Sequence, residues 1–428
     1  MTLYIILLIL FLLVILGMPL FAAILAVAML GFYSSGIDLS VVAIELYRIA
    51  DTPLLLALPL FTFAGYLLGE SNTSHRLVRL AQALIGWVPN GLAIVAFAAC
   101  AFFTAFTGAS GVTIVALGAL LYPALQQAGY REKFSLGLVT TSGSLGLLLP
   151  PSLPLIIYGI VAQQMNTGGE VAISDLFLAG LLPCLLMLIS LSCWSLWTNR
   201  KDPIPVKIFS GKELIATVRE AIWEIPLPIF VFGGIYSGLF AVSEAAAATA
   251  MYVIVVEVFI YREIKLLRLP AIMRESMITV GGILLILGAS LAFTNFLIDA
   301  EVPMLLFKLI QVYVSEKVVF LILLNIFLLV LGAILDIFSA LVIMVPIILP
   351  VALNYGIDPV HLGIIFLANM QIGYFTPPVG MNLFIASYRF KKPVTELYKA
   401  TIPFMMVLLF TLLVITYWPT LSLVLLRR

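Results

Sequence analysis

Apolar runs of bilayer-spanning length recur from one end of this chain to the other, and nothing constrains its fold more. Residues 3–16, 54–68 and 176–197 carry few or no charges, and a spanning helix needs ~20 residues of that kind. With 63% of its 428 residues hydrophobic, 10% charged and a mean hydropathy of +1.20, the chain holds more apolar surface than a soluble core could bury. Lipid offers exposed backbone groups no hydrogen-bond partner, so the spans must be helices. An all-α polytopic membrane protein is expected. The first segment lacks a positive n-region and continues into "GMPLFAAILAVAMLGFY", so it reads as a retained span rather than a cleaved signal. Cys100, Cys184 and Cys193 lie in apolar segments and read as packing residues. The only histidines, His75 and His361, stand far apart, which argues against a transition-metal site.

The stretch "GLLLPPSLP" from Gly146 to Pro154 breaks one apolar run in its middle, and it has a counterpart. Gly373, Pro377 and Pro378 in "QIGYFTPPVGM" lie 227 positions after Gly146, Pro150 and Pro151, and the same offset relates Pro123 to Pro350 and Gly129 to Gly356. A repeat of that length is half the protein. In the first half it predicts scaffold helices at 1–70, an arm at 71–90, a hairpin at 91–125, a broken helix at 134–162 and a closing helix at 174–198. A cytoplasmic linker at 199–225 follows. The second half then holds scaffold helices at 226–297, an arm at 298–317, a hairpin at 318–352, a broken helix at 360–388 and a closing helix at 400–420. About ten spans, two of them broken, and two re-entrant helical hairpins result. Lys and Arg in short loops mark the cytoplasmic side. Loop 34–52 sets three acids against Arg48 and loop 163–175 has no base, whereas their partners 262–276 and 389–399 carry four basic residues each. The bias changes sign, so the repeats are read as inverted, with 17 of the 22 Lys and Arg on the cytoplasmic side and both termini periplasmic.

Matching breaks in inverted repeats point to a secondary-transporter site near the bilayer midplane. A helix interrupted at Gly143, Gly146, Pro150 and Pro151 frees carbonyls that suit a hard cation such as Na⁺. It also starts a half-helix whose N-terminus suits a carboxylate. A proline kink repaired by neighbours is the plainer reading of either break taken alone. The uncharged stretch 91–129 carries "FTAFTGASGVT" between two apolar arms too short to span comfortably, which predicts a hairpin that enters and leaves from one side. Its partner has "LDIFSA" at the equivalent depth. Asp336, the only charge of 318–352, reads either as an ion or coupling residue or as the N-cap of the second arm. Ser142 pairs with Asn369, and Ser144 with Gln371, across the repeat; these residues line a cavity or hydrogen-bond neighbouring helices, and Asn382 and Ser387 follow the second break. Glu244 reads as structural and Glu257 as snorkelling to the interface. "HRLVRLAQALIGWVP" and residues 301–317 read as amphipathic interfacial helices.

Taken together, "GASG" (108–111), "SGSLGLLLPPSLPLIIYG" (142–159), "SEAAA" (243–247) and "QIGYFTPPVGMNLF" (371–384) resemble the large membrane subunit of tripartite ATP-independent periplasmic (TRAP) transporters along essentially the whole chain. The paired Gly-Pro-Pro motifs are fairly specific to that family, although this chain has "AVSEAAA" where many members have "TPTEAAA". The resemblance implies an elevator-type ion-transporter architecture in the bacterial inner membrane, with no enzymatic activity, no cofactor, and Na⁺ as the coupling ion. It implies three partners besides the lipid bilayer: a small membrane subunit, a periplasmic substrate-binding protein and an organic acid. No nucleic acid is expected. Carried over, one Na⁺ lies between Gly108, Ala109 and Ser110 at the first hairpin tip and Gly143, Ser144, Gly146 and Pro150 at the first break. A second lies between Asp336 and Ser339 and the break at Gln371, Gly373, Thr376 and Pro377. The substrate carboxylate then falls within reach of Ser110, Thr376 and Asn382.

Rival classes are weaker. A channel calls for a continuous polar path, and here polar residues cluster at two tips and two breaks. A membrane hydrolase needs a nucleophile with a base or a metal pair, and the spans are expected to hold no histidine. A stand-alone proton-coupled anion carrier working through Asp336 is the strongest alternative.

Overall fold

The computed structural model describes residues 10, 12–13, 16–50, 53–88, 90–165, 171–200, 210–314 and 316–426. Most of the first apolar segment, 3–16, and residues 201–209 of the linker lie outside the described residues. The regular structure among the described residues is helical throughout.

After Pro19 the chain forms α1 (Leu20–Ser34), α2 (Ser40–Ala50), α3 (Ala57–Glu70) and the amphipathic α4 (Thr73–Ile85). The hairpin α5 (Gly91–Thr107) and α6 (Ser110–Gln127) turns on two residues. Gly108 makes that turn in the left-handed region at φ +65°, returning its N–H to Thr104 O at 2.8 Å. Next come α7 (Glu132–Ser142), a short 3₁₀ turn at Leu145–Leu148, α8 (Leu153–Gln164) and the long α9 (Ile173–Thr198). The linker folds into α10 (Gly211–Glu220). The rest comprises α11 (Pro226–Tyr236), α12 (Val242–Ile254) running on as a π turn over Val255–Ile260, and α13 (Leu269–Asp299). Then follow α14 (Val302–Tyr313), the hairpin α15 (Lys317–Ile334) and α16 (Ile337–Asn354), α17 (Pro359–Gly373), α18 (Met381–Phe390), α19 (Val394–Tyr417) and the short α20 (Thr420–Leu423).

Seven helical segments among the described residues are long and apolar enough to cross a membrane: Glu132–Gln164 (counted across its break), Ile173–Thr198, Val242–Ile260, Leu266–Asp299, Lys317–Ile334, Ile337–Asn354 and Val394–Tyr417. Five shorter apolar helices, among them Gly91–Thr107 and Pro359–Gly373, accompany them. Burial sorts these helices. Every residue from Val360 to Gly373 is buried, as is every residue from Phe134 to Ser142. The outer faces of α13 and α15, by contrast, expose Ile278, Leu285, Ile322 and Phe327. The helices that carry small and polar residues, such as Thr140, Thr141, Ser142, Asn369 and Gln371, sit at the centre, and α13 and α15 present bulky side chains outward. At the centre α7 packs on α19 and α17 on α15 and α9, while α5 crosses the 3₁₀ turn.

Two placements differ from the sequence reading. Glu257 does not snorkel outward: it is fully buried in the π turn, where it accepts from Thr73 Oγ1 at 2.9 Å and faces Arg76 at 3.3 Å. Arg76, on α4, also bonds Glu224 and Glu263 and stacks 4.0 Å from the centre of the Tyr261 ring. Burial opposes the Arg76 charge, the surrounding carboxylates outweigh it, and its pKa is raised. This node joins α4, the end of the linker and α12. His361 is the second correction. It lies inside α17, although the spans are expected to hold no histidine, and is buried between Ser422 Oγ and Thr416 O at 3.2 Å each.

Candidate functional site

The first break follows from its residues. Pro150 and Pro151 have no N–H to continue a helix, so the ladder ends and the intervening backbone pairs locally. Leu147 N–H donates to Ser144 O at 3.1 Å, Leu149 N–H to Gly146 O at 3.0 Å, and the Ser152 hydroxyl to Leu147 O at 2.6 Å. The helix α5 lies directly on this turn. A Cβ at Gly146 would meet Ala101 O at 2.0 Å, so only glycine permits the approach. The first hairpin tip closes over the break with oxygen atoms. Thr104 Oγ1 donates to Gly143 O at 2.9 Å and shares a hydrogen bond with Thr113 Oγ1 at 2.7 Å, and Ser110 O lies 3.2 Å from the Cβ position of Gly143.

The second break is built from the other hairpin. Gly373 faces Gly332 so closely that a Cβ would stand 2.6 Å from it. Gly380 N–H donates to Ala333 O at 3.0 Å, and Ile337 N–H donates to Tyr374 Oη at 2.7 Å. Asp336 caps α16: Oδ1 accepts from the Phe338 and Ser339 N–H groups at 3.0 Å each, and Oδ2 accepts from Ser339 Oγ at 2.5 Å. The capping alternative thus describes its geometry.

Hydrogen bonds at the breaks join the two halves. Ser144 Oγ donates to Gln371 O at 2.9 Å, linking break to break, and Ser110 Oγ donates to Asn382 Oδ1 at 2.8 Å, linking the first tip to the half-helix after the second break. The Asn382 amide reaches on to Thr140 O at 3.4 Å. Of the residues read for the carboxylate, Ser110 and Asn382 therefore meet. Thr376 instead donates to Ile372 O at 2.9 Å within its own helix end. Gln371 brings its carbonyl to the junction, while its amide points to the Met187 sulfur at 2.6 Å and its Oε1 is buried with no hydrogen-bond partner. Gly108, Ala109, Gly143 and Pro150 lie at the first tip and break, and Ser339, Gly373 and Pro377 at the second.

Sequence reasoning missed Thr104 and Thr113, both inside the quoted polar knot; their 9-residue separation looks unremarkable until the hairpin turn folds them together. It also left Asn325 and Thr416 unread. Asn369 donates to Asn325 Oδ1 at 2.7 Å and Asn325 donates to Thr416 Oγ1 at 3.1 Å, tying α17 to α15 and α19. The two breaks differ in access: Pro150 and Pro151 are buried, whereas Pro378, Val379 and Met381 are exposed.

Interrupted helices packed tip to break with two helical hairpins define a multi-pass membrane protein with a polar junction at its centre. Residues 3–421 match the model of the tripartite ATP-independent periplasmic transporter, DctM component, and the chain belongs to that family. It is 34% identical over 384 residues to the C4-dicarboxylate TRAP transporter large permease protein DctM of Pseudomonas aeruginosa, covering 90% of this chain and 88% of that one. It is also 34% identical over 367 residues to the isethionate TRAP transporter permease protein DctMQ of Oleidesulfovibrio alaskensis; the match takes in 85% of this chain but 57% of the length of that relative. These relatives are transporter permeases and not enzymes. The fold is similar to that of the Alcanivorax borkumensis YdaH transporter, with a TM-score of 0.57 and 15% identity over 88% of this chain and 89% of that one.

Proposed function

We propose that this chain is the permease of a tripartite uptake system in the bacterial inner membrane, carrying a small organic acid into the cell with Na⁺. A soluble periplasmic protein delivers the acid, and a small membrane subunit completes the complex. The relatives named for C4-dicarboxylates and for isethionate support an anionic cargo. The observation that carries the reading is the junction of Ser110 with Asn382 and of Ser144 with Gln371 O. It brings the first tip and both breaks together, while the second hairpin meets the second break through Gly380 N–H and Ala333 O, so that cation and anion binding there would be coupled by proximity. Carbonyl and hydroxyl oxygens suit Na⁺. Gly143 O with Thr104, Thr113 and Ser110 supplies such a set at the first tip, and Asp336 with the backbone around Gly373 supplies one at the second. Ser110 and Asn382 are the side chains that would receive the carboxylate. In the elevator reading, the hairpins with α7, α8, α17 and α18 move against a frame containing α3, α12 and α13.

Uptake into proteoliposomes holding this chain and its small partner tests the proposal, with and without an inward Na⁺ gradient and the binding protein, across a panel of organic acids. Accumulation that requires both is expected. Uptake that ignores Na⁺ and proceeds without the binding protein overturns the coupling and favours a proton-driven carrier.

A further inference from the structure

The linker helix α10 has two unlike sides. One is bolted down. Glu220 pairs with Arg79 of α4 at 2.7 Å, Tyr261 Oη donates to Glu220 O at 2.6 Å, and Glu224 accepts from Arg76 and, at 2.9 Å, from Tyr261 Oη. Tyr252 Oη donates to Trp223 O at 2.7 Å. Since Tyr252 and Tyr261 bracket the last turns of the span Val242–Ile260, these bonds fix α10 at the level where that span ends. The other side is apolar and bare. Ile215 and Val218, with Ile222 and Trp223 in the turns that follow, recur at intervals of three, four and one, and Ile215 is 71% exposed. That stripe continues onto the exposed face of α11 through Ile229 and Phe230. At the same end of the span, Leu267 is 93% exposed between Lys265 and Arg268.

We propose that α10 is an interfacial membrane anchor whose Ile215, Val218, Ile222 and Trp223 seat in the boundary between lipid headgroups and acyl chains. The occupant is lipid because the stripe is continuous with the exposed face of the apolar helix α11 and is held at the end of a span. Lys212 and Arg219 lie one turn to either side of Ile215, within reach of headgroup phosphates. An apolar face of this kind sinks about 5–10 Å into the boundary, and a tryptophan at its edge favours that depth. The node around Arg76 gives the helix a fixed orientation, so the frame is gripped by the bilayer surface as well as threaded through it. The inference rests on membrane insertion alone and is independent of the transported solute.

The full chain in phosphatidylcholine vesicles, with Cys193→Ser and a single new cysteine, tests it. An environment-sensitive fluorophore is placed at Ile215→Cys, Ile222→Cys or, on the opposite side, Glu213→Cys. Quenching is read with doxyl-labelled lipid and with aqueous iodide. Labels at 215 and 222 are expected to be quenched several-fold more by the lipid reagent, and the label at 213 by iodide. Equal iodide access at all three positions overturns the proposal in favour of a solvated linker, and shielding of 215 and 222 from both reagents overturns it in favour of a protein partner or a second copy. Two stripe positions are used so that one unstable variant leaves the other to decide.

Discussion

Asp336 spends both carboxylate oxygens on α16, and a pair of substitutions separates that role from one toward a cation. Asparagine caps a helix about as well as aspartate, whereas alanine costs ~1 kcal/mol. Asp336→Asn is therefore expected to leave the unfolding temperature of the purified protein nearly unchanged while raising the Na⁺ concentration for half-maximal uptake several-fold. Asp336→Ala lowers stability as well, and an unchanged Na⁺ response in Asp336→Asn would reduce the residue to a cap. Ser144→Ala leaves the Gln371 carbonyl buried without its partner, a loss of about 1–3 kcal/mol visible in thermal unfolding. Arg76→Ala is harsher, because Glu224, Glu257 and Glu263 then face one another unneutralised; a loss of about 3–5 kcal/mol is expected, read as a collapse of folded yield. No local pattern around residue 76 announces this node. Its three carboxylates lie more than 140 positions away in sequence.

The interrupted helices are where sequence and element agree best. Gly143 and the Pro150–Pro151 pair end α7 and delay α8 to Leu153, and Gly373 with Pro377–Pro378 ends α17, because missing N–H groups act locally wherever the chain lies. The hairpin tips were legible for a similar reason: Gly108 takes a positive φ and Asp336 caps. The linker helix was not, since its short amphipathic pattern gains meaning only once α4 and α12 are seen beside it. Nor was the burial of His361, which depends on α19 and α20 packing across it. Element contact also sets a prediction. Gly146→Ala pushes a methyl into the α5 backbone and Gly373→Ala into Gly332, yet the first break is buried and the second partly exposed. Both substitutions are expected to abolish uptake, and Gly146→Ala is expected to cost more stability in a denaturation assay, since its surroundings have less room to yield.

At the scale of the whole molecule, the elevator proposal divides the helices into a moving set and a frame, and contacts between the sets differ in kind from contacts within one. Ser290 of α13 donates to Val342 O of α16 at 2.5 Å, across the proposed boundary, whereas Phe32 and Phe296 meet within the frame with ring centres 6.0 Å apart. Cysteines at Ser290 and Val342, once bridged, are expected to stop uptake until the bridge is reduced. Bridging cysteines at Phe32 and Phe296 with a short bifunctional reagent should leave uptake near its starting level. Equal inhibition by both bridges would argue that no such sliding boundary exists. The unequal exposure of the two breaks has a practical side. Two stretches that resemble each other in sequence are not equally reachable: Val379 and Met381 lie at the surface of the protein, while the matching turn at Pro150 is buried. A ligand directed at an interrupted helix would therefore meet the second turn and not the first.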